Sequence, residues 1–247
     1  MPPPVRYVDS GYLGDVDRDP IVQKSVVEDV LDHIRSMIHR GDIGPGGQLP
    51  PERVLAEQLG VGRLSLREAI GRLAAEGYVV SKRGAKGGTF VTELEKPFTD
   101  WVAAMRANPG SLEDILDMRT ALERRAAILA CQRRTDGDVV KMKDALAAFD
   151  TVKGVMEKRH ADNRFHHAVA SASRSPRLIE ALTVNRGELF PPTHREMYEE
   201  LLSTAGTNHS EMLDAIIDRD EPRAAQAVEN HIADTRGSLV ALLARTG

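Results

Sequence analysis

Cysteine is nearly absent: the 247 residues contain one, Cys131. No internal disulfide framework can therefore exist, and the apolar periodicity around Cys131 predicts a buried structural thiol. No apolar run approaches the roughly 20 residues that span a bilayer, which excludes a transmembrane protein. The opening MPPPVRYVDSGYLGDVDRDP has neither a basic start nor an apolar stretch, so no secretion signal is read there and a cytoplasmic location is expected. Internal repeats are lacking, and after Glu93 no strand signal is found. An HExxH motif is also missing, which removes the commonest signature of a zinc hydrolase.

An excess of positive charge is likewise lacking overall, with a net of −4; its distribution is more informative than the sum. From Arg53 to Phe90 seven Lys or Arg face three Asp or Glu, a local +4, whereas from Thr92 onward 21 basic residues face 25 acidic ones. One nucleic-acid-facing module and one module of another kind are expected. The length suits two domains with separate cores, and 41% hydrophobic with 28% charged residues describes an ordinary globular chain.

Residues 1–20, rich in Pro, Gly and Asp, read as a flexible tail. Val26, Val27, Val30, Leu31, Ile34, Met37 and Ile38 recur at helical spacing up to the glycine-rich break at 41–47. A short helix follows from Pro50-Pro51-Glu52 to Leu59, then a third through Leu66, Ala69, Ile70 and Leu73. Tyr78–Ser81 and Thr89–Thr92 have strand character around a segment rich in Gly, Lys and Arg. Beyond lie helices near 98–107, 111–132, 136–150, 154–173, 175–190, 193–203, 207–219 and 221–243. Ser111 with Asp114 and Thr135 with Asp138 fit capping boxes, and Ser175-Pro176 and Asp220-Glu221-Pro222 fit helix starts. The fold class expected is mainly α: an N-terminal winged helix-turn-helix of three helices plus a β-hairpin wing over 21–92, a linker helix over 93–110, and a C-terminal all-α bundle over 111–247.

A helix-turn-helix holds the front of its last helix in the major groove, where arginines donate to guanine edges. Arg63 and Arg67 lie four apart on one face of the third helix while Leu66, Ala69, Ile70 and Leu73 supply the other. Arg53 could reach a phosphate beside it, and the hairpin tip offers Lys82, Arg83 and Lys86 with glycines at 84, 87 and 88. The string LPPERVLAEQLGVGRLSLREAIGRLAAEGYVVSKRGAKGGTFV resembles the winged helix-turn-helix of the GntR family of transcription regulators. That resemblance implies DNA contact by Arg53, Arg63, Ser65, Arg67 and the wing at Arg83-Gly84. Gly62 departs from it, standing where a serine or threonine is usual, although Ser65 with Glu68 offers a second capping box one turn on.

Asp162 and His166, four apart, project from one helical face, while His209 and His231 stand on later helices among apolar neighbours. His167 points about 100° away from His166 and is not counted as a ligand. A carboxylate and three imidazoles suit a divalent metal ion, zinc first, with nickel, manganese or iron as alternatives. The segments ILDMRTALERRAAILA, DNRFHHAVA, TNHSEMLDAIIDRD and ENHI resemble the FCD ligand-binding domain of FadR-type GntR regulators. The two resemblances cover about residues 24–92 and 111–236. They imply that Asp162, His166, His209 and His231 hold the metal. They further imply that an organic acid bound there is gripped by Arg119, with Glu123 behind as an orienting partner. The expected protein is a homodimeric regulator, a repressor in the first instance, whose partners are operator DNA and a small carboxylate. It is not an enzyme. A metal-free regulator of acyl thioesters and a metal-dependent hydrolase are the alternatives.

Overall fold

A computed structural model describes residues 24–84, 87–190 and 205–245. The expected tail at 1–20, the helix at 193–203 and Lys86 lie outside those residues.

The N-terminal half consists of α1 (Val26–His39), α2 (Glu52–Leu59), α3 (Arg63–Ala75), β1 (Val79–Lys82) and β2 (Gly88–Val91). Helix α1 begins at a reciprocal capping box: the Glu28 amide donates to the Ser25 hydroxyl (3.2 Å) and the Ser25 amide to the Glu28 carboxylate (2.9 Å). Its apolar stripe of Val30, Leu31, Ile34 and Ile38 is buried in one cluster with Leu66, Ile70 and Leu73 of α3. Helix α2 stops at Gly60, whose φ of 67° suits a residue without Cβ. The two strands pair antiparallel with Val79 opposite Val91 and Lys82 opposite Gly88, and Gln48 adds an isolated bridge to Phe90.

The remainder is helical: α4 (Glu95–Ala107), α5 (Pro109–Arg133), α6 (Asp136–Thr151), α7 (Val155–Ala172), α8 (Pro176–Glu188), α9 (Ala205–Asp218) and α10 (Glu221–Arg245). Helix α5 packs against α7, α8 and α10, and α6 lies along α7. The Thr135–Asp138 box opens α6 as its spacing predicts. Asp220 accepts from the Arg223 amide (3.0 Å) at the start of α10. Two expected caps are not used. Pro109 enters α5 at its first turn, so Ser111 sits inside the helix rather than before it. Gly62 is the N-cap of α3, so the Ser65–Glu68 pair lies within the first turns.

The two halves do not have separate cores. One apolar cluster runs from Val30 through Leu94, Phe98 and Trp101 to Leu242. The seam is formed where α1 lies on α8: a Cβ on Gly187 would come within 3.2 Å of the Ser36 Cα, so only glycine permits this approach. His39, 4% exposed, spans the seam. Its Nδ1 lies 2.8 Å from the Gly187 carbonyl, its Nε2 3.0 Å from the Tyr78 hydroxyl, and its ring meets Phe190 edge-on.

Burial pushes the His39 imidazole down to about 3, against a partial opposing pull from the Gly187 carbonyl. In the unfolded chain the same group titrates near 6.5. Because the folded value is the lower, the unfolded chain binds the extra proton, and stability present above pH 6.5 is lost as pH falls toward 3. Urea unfolding should therefore show about 1.4 kcal/mol lost through this group between pH 7.5 and 5.5. His39→Gln should be less stable at pH 7.5 yet show a shallower pH dependence; an unchanged slope would contradict the assignment.

Candidate metal centre and nucleic-acid interface

Helix α7 supplies Asp162 and His166, one turn apart, while α9 supplies His209 and α10 His231. All four are buried, and one donor atom from each lies within 4.8 Å of the other three. His166 Nε2 is 3.0 Å from His209 Nε2, and Asp162 Oδ1 is 3.6 Å and 3.4 Å from those two atoms. The ring centroids stand 4.7–4.9 Å apart in every pairing, and Phe165 and Phe149 wall the His209 ring.

The residues fit a divalent ion. Metal–ligand bonds of about 2.0–2.2 Å place neighbouring donors about 3–3.5 Å apart, close to the 3.0–3.6 Å found among Asp162, His166 and His209, with His231 within 4.8 Å. Burial holds His209 down to about 3, with the nearby His166 adding to it, and holds His231 well below its ordinary value. Both rings thus stay neutral and keep the lone pair that a metal requires. Nδ1 of His209 and of His231 has no hydrogen-bonding partner among the described residues. Burial alone would raise the Asp162 carboxyl, but Arg186, His166 and His209 outweigh it and hold the group well below the usual carboxylate range. Crowding four electron-pair donors into one dry space is costly unless a cation shares them.

Around this cage lies a second layer of buried ions. Glu123 on α5 takes Arg119 Nε at 2.8 Å and Arg186 NH1 at 2.7 Å on Oε1, while its Oε2 stands 2.9 Å from His166 Nδ1. A carboxylate there favours the His166 proton on Nδ1 and leaves Nε2 bare toward the cage. The Arg119–Glu123 pair has the i,i+4 spacing of a surface bridge but is 2% and 4% exposed. Arg119 also donates from its NH2 to His231 Nε2 at 3.3 Å. Sequence reasoning missed Arg186, which binds Asp162 Oδ2 at 2.6 Å and Asn163 Oδ1 at 2.9 Å. Its signal was present: Arg186 falls four residues after the buried Leu182, on the apolar stripe of α8. A cavity of about 470 Å³ is lined by Glu123, His166 and Arg186 from this layer and by Arg40 from the N-terminal half.

The third helix divides its faces as the sequence predicts, with Leu66, Ala69, Ile70 and Leu73 buried and Arg63 and Arg67 exposed. Arg53 and Arg67 rest on carboxylates, Glu57 at 2.8 Å and Glu52 at 2.6 Å. Both pairs are exposed, so each is worth about 1 kcal/mol at most and yields readily to a phosphate. Ser65 is half-buried, and Arg83 and Gly84 stand exposed at the wing, where Gly84 has φ 107°. At Gly62 the backbone is extended and a Cβ would meet nothing closer than the Ser65 hydroxyl at 4.0 Å, so glycine is not required there. Leu64, 81% exposed between the two arginines, was not singled out from sequence. An apolar side chain beside two exposed cations has the chemistry to meet a thymine methyl.

Comparison with known proteins places these sites in a family. Residues 26–91 match the family described as bacterial regulatory proteins, gntR family, and residues 114–234 match the FCD domain. The chain is 32% identical over 204 residues to the HTH-type transcriptional regulator RmpR of Mycobacterium gastri, covering 80% of this chain and 73% of that one. It is 31% identical over 232 residues to the L-lactate dehydrogenase operon regulatory protein of Escherichia coli (strain K12), covering 86% of each. Among solved structures, E. coli McbR/YncC shares the fold with a TM-score of 0.53 at 23% identity, over 91% of this chain and 99% of that one.

Removing Arg186 leaves two buried carboxylates short of a counter-charge, a loss of about 3–5 kcal/mol for a broken buried pair. Arg186→Ala should lower the urea-unfolding free energy of chelator-treated protein by that order. A change of less than about 1 kcal/mol would mean the network is open to water.

Proposed function

We propose that this chain, which belongs to the GntR family of bacterial regulatory proteins and carries an FCD domain, is a dimeric repressor whose hold on operator DNA answers to a small carboxylate bound at a divalent metal ion. It is a transcription regulator and not an enzyme. The observation that carries the finer reading is the convergence of Asp162, His166, His209 and His231, buried and within 4.8 Å of one another.

When bound, the metal supplies a Lewis-acid anchor for one oxygen of the acid. This chain's own residues do the rest. A neutral imidazole has one lone pair, so when that of His231 is committed to a cation it can no longer accept from Arg119. The Arg119 fork is then left with donors that match a carboxylate, while Glu123 keeps the guanidinium in place. The E. coli relative is named for an L-lactate dehydrogenase operon, which makes lactate a reasonable first acid to try. A metal-free acyl-thioester regulator would leave the four converging donors unexplained.

On the DNA side, Arg63, Arg67 and Leu64 would face base edges, while Arg53, Ser65, Arg83 and Gly84 would lie along the backbone. The working division is a DNA-binding domain at 21–92, a linker helix at 93–110 and an effector-binding and pairing domain at 111–247, acting in the cytoplasm where operators are found. Two such chains about a twofold axis would set the spacing of two recognition helices on a palindrome.

Two experiments test this reading. L-lactate and other small carboxylates should raise the melting temperature of zinc-loaded protein, but neither dipicolinate-treated protein nor Arg119→Ala should respond; equal shifts with and without zinc would sink the metal-anchored sensor. Arg67→Ala should weaken a duplex selected by the wild-type protein by about 1–3 kcal/mol and relax preference at one base pair. A gel shift indistinguishable from wild type would show that α3 faces elsewhere.

A further inference from the structure

The Asp162 carboxylate faces two ways. Its Oδ1 points into the imidazole cage, 3.4 Å from His209 Nε2, while its Oδ2 takes Arg186 at 2.6 Å and lies 3.6 Å from Arg159. Those arginines do not end at the cage. Arg186 donates through Nε to Asn163 Oδ1 at 2.9 Å, and the Asn163 amide donates in turn to the Arg40 carbonyl at the end of α1. Arg159 donates from Nε to the next carbonyl back, that of His39, at 3.3 Å. Its NH2 reaches the Arg186 and Leu189 carbonyls at the end of α8, at 3.4 Å and 3.5 Å. Helix α7 therefore presents, within two turns, a candidate cage ligand at 162 and 166 and two clamps on α1 at 159 and 163.

Helix α1 carries this further. It packs its apolar stripe against α3, and His39 at its last turn joins the Gly187 carbonyl to the Tyr78 hydroxyl next to β1. Gly187 touches Ser36, and a Cβ on Gly41 would crowd the Met156 carbonyl and the His160 amide of α7 at 3.1 Å and 3.2 Å. At these two glycines α1 meets α8 and α7 with no room for a Cβ, whereas the Arg186 fork lines the cavity of about 470 Å³ beside Asn163 and Arg40 and has space to move. A shift of the fork therefore reaches α1 through the Asn163 and Arg159 hydrogen bonds to its last carbonyls.

We propose that Asn163, Arg159 and Arg186 are positioning residues that couple occupancy of the cage to the seating of the DNA-binding half on the bundle. When Asp162 shares its charge with a cation on the Oδ1 side, Oδ2 attracts Arg186 less. The fork shifts toward Glu123 and Asn163, and Asn163 hands the change to the α1 carbonyl that it holds. In the present arrangement each Arg186 nitrogen and the Asn163 amide has an acceptor, and a shifted fork acts as a two-state element only if it keeps them. This inference rests on the metal reading given above, and the experiment separates the two.

Trp101, the single tryptophan of the chain, reports on the seam directly: it is 9% exposed and its indole N–H donates to the Glu188 carbonyl at 3.2 Å, beside Gly187. Zinc alone would be added to dipicolinate-treated full-length protein, with three readings: bound zinc per chain, Trp101 emission, and affinity for a duplex selected from a random pool by the wild-type protein. Wild type should take up zinc, shift its Trp101 emission and change its duplex affinity by about fivefold or more. Asn163→Ala keeps all four cage donors, so it should bind zinc as wild type does while the emission shift and the affinity change both collapse. Arg159→Met, which keeps the aliphatic bulk, should behave the same way, so that one misfolded variant does not decide the matter. If wild type takes up no zinc, the metal reading falls and this coupling with it. If zinc binds but both variants keep the wild-type responses, or wild type itself shows none, the coupling is overturned and the metal reading stands.

Discussion

An aspartate has to stay ionised in the dry middle of a helical bundle, and much of the surrounding arrangement follows from that demand. Taking a carboxylate out of water costs several kcal/mol even after relaxation, and Asp162 is 3% exposed. Arg186 offsets the cost on one oxygen, but a buried guanidinium has five donors of its own to satisfy. Asp162, Glu123 and Asn163 take up three of them, one on each nitrogen. Glu123 then requires Arg119 and the His166 ring, and those lean on His231 and His209 in turn. One charge recruits residues from α5, α7, α8, α9 and α10, so the bundle has little freedom to slide without exposing an unpaired ion.

That chain of requirements explains which parts of the molecule were readable in the sequence. Elements carried by local rules were legible. Thr135–Asp138 opens α6, Gly60 ends α2, and the division of α3 into an apolar and a cationic face follows from a period of 3.6. Where two local rules competed, the reading failed: Ser111–Asp114 fits a capping box, but Pro109 starts the helix a residue pair earlier and leaves the serine inside. The cage donors could be picked out because spacing and apolar flanks converge with the family pattern. Asn163 and Arg159 could not, and Arg186 only as the continuation of the stripe from Leu182, since an arginine on a helix reads as solvated until tertiary packing covers it. The merging of two expected cores into one runs through Leu94, Phe98 and Trp101 beside the close approach of Gly187 to Ser36, contacts between residues far apart in sequence that no periodicity records.

The two functional surfaces use the same ion-pair chemistry at opposite costs. On α2 and α3, Arg53–Glu57 and Arg67–Glu52 are exposed pairs that water can replace, so both arginines can exchange a carboxylate for a phosphate or base with little penalty. In the bundle, Arg119, Arg186 and Asp162 sit in pairs that cannot be opened singly without stranding a buried charge. The proposed DNA-reading surface benefits from contacts that exchange freely, whereas the proposed sensing interior benefits from contacts that move only together. Buried ion networks contribute less to stability than apolar packing of the same volume would, so stability alone gives little reason to keep one here. Under the coupling proposed above, its advantage is that a change in charge at one atom of Asp162 is passed to the partners that hold the end of α1.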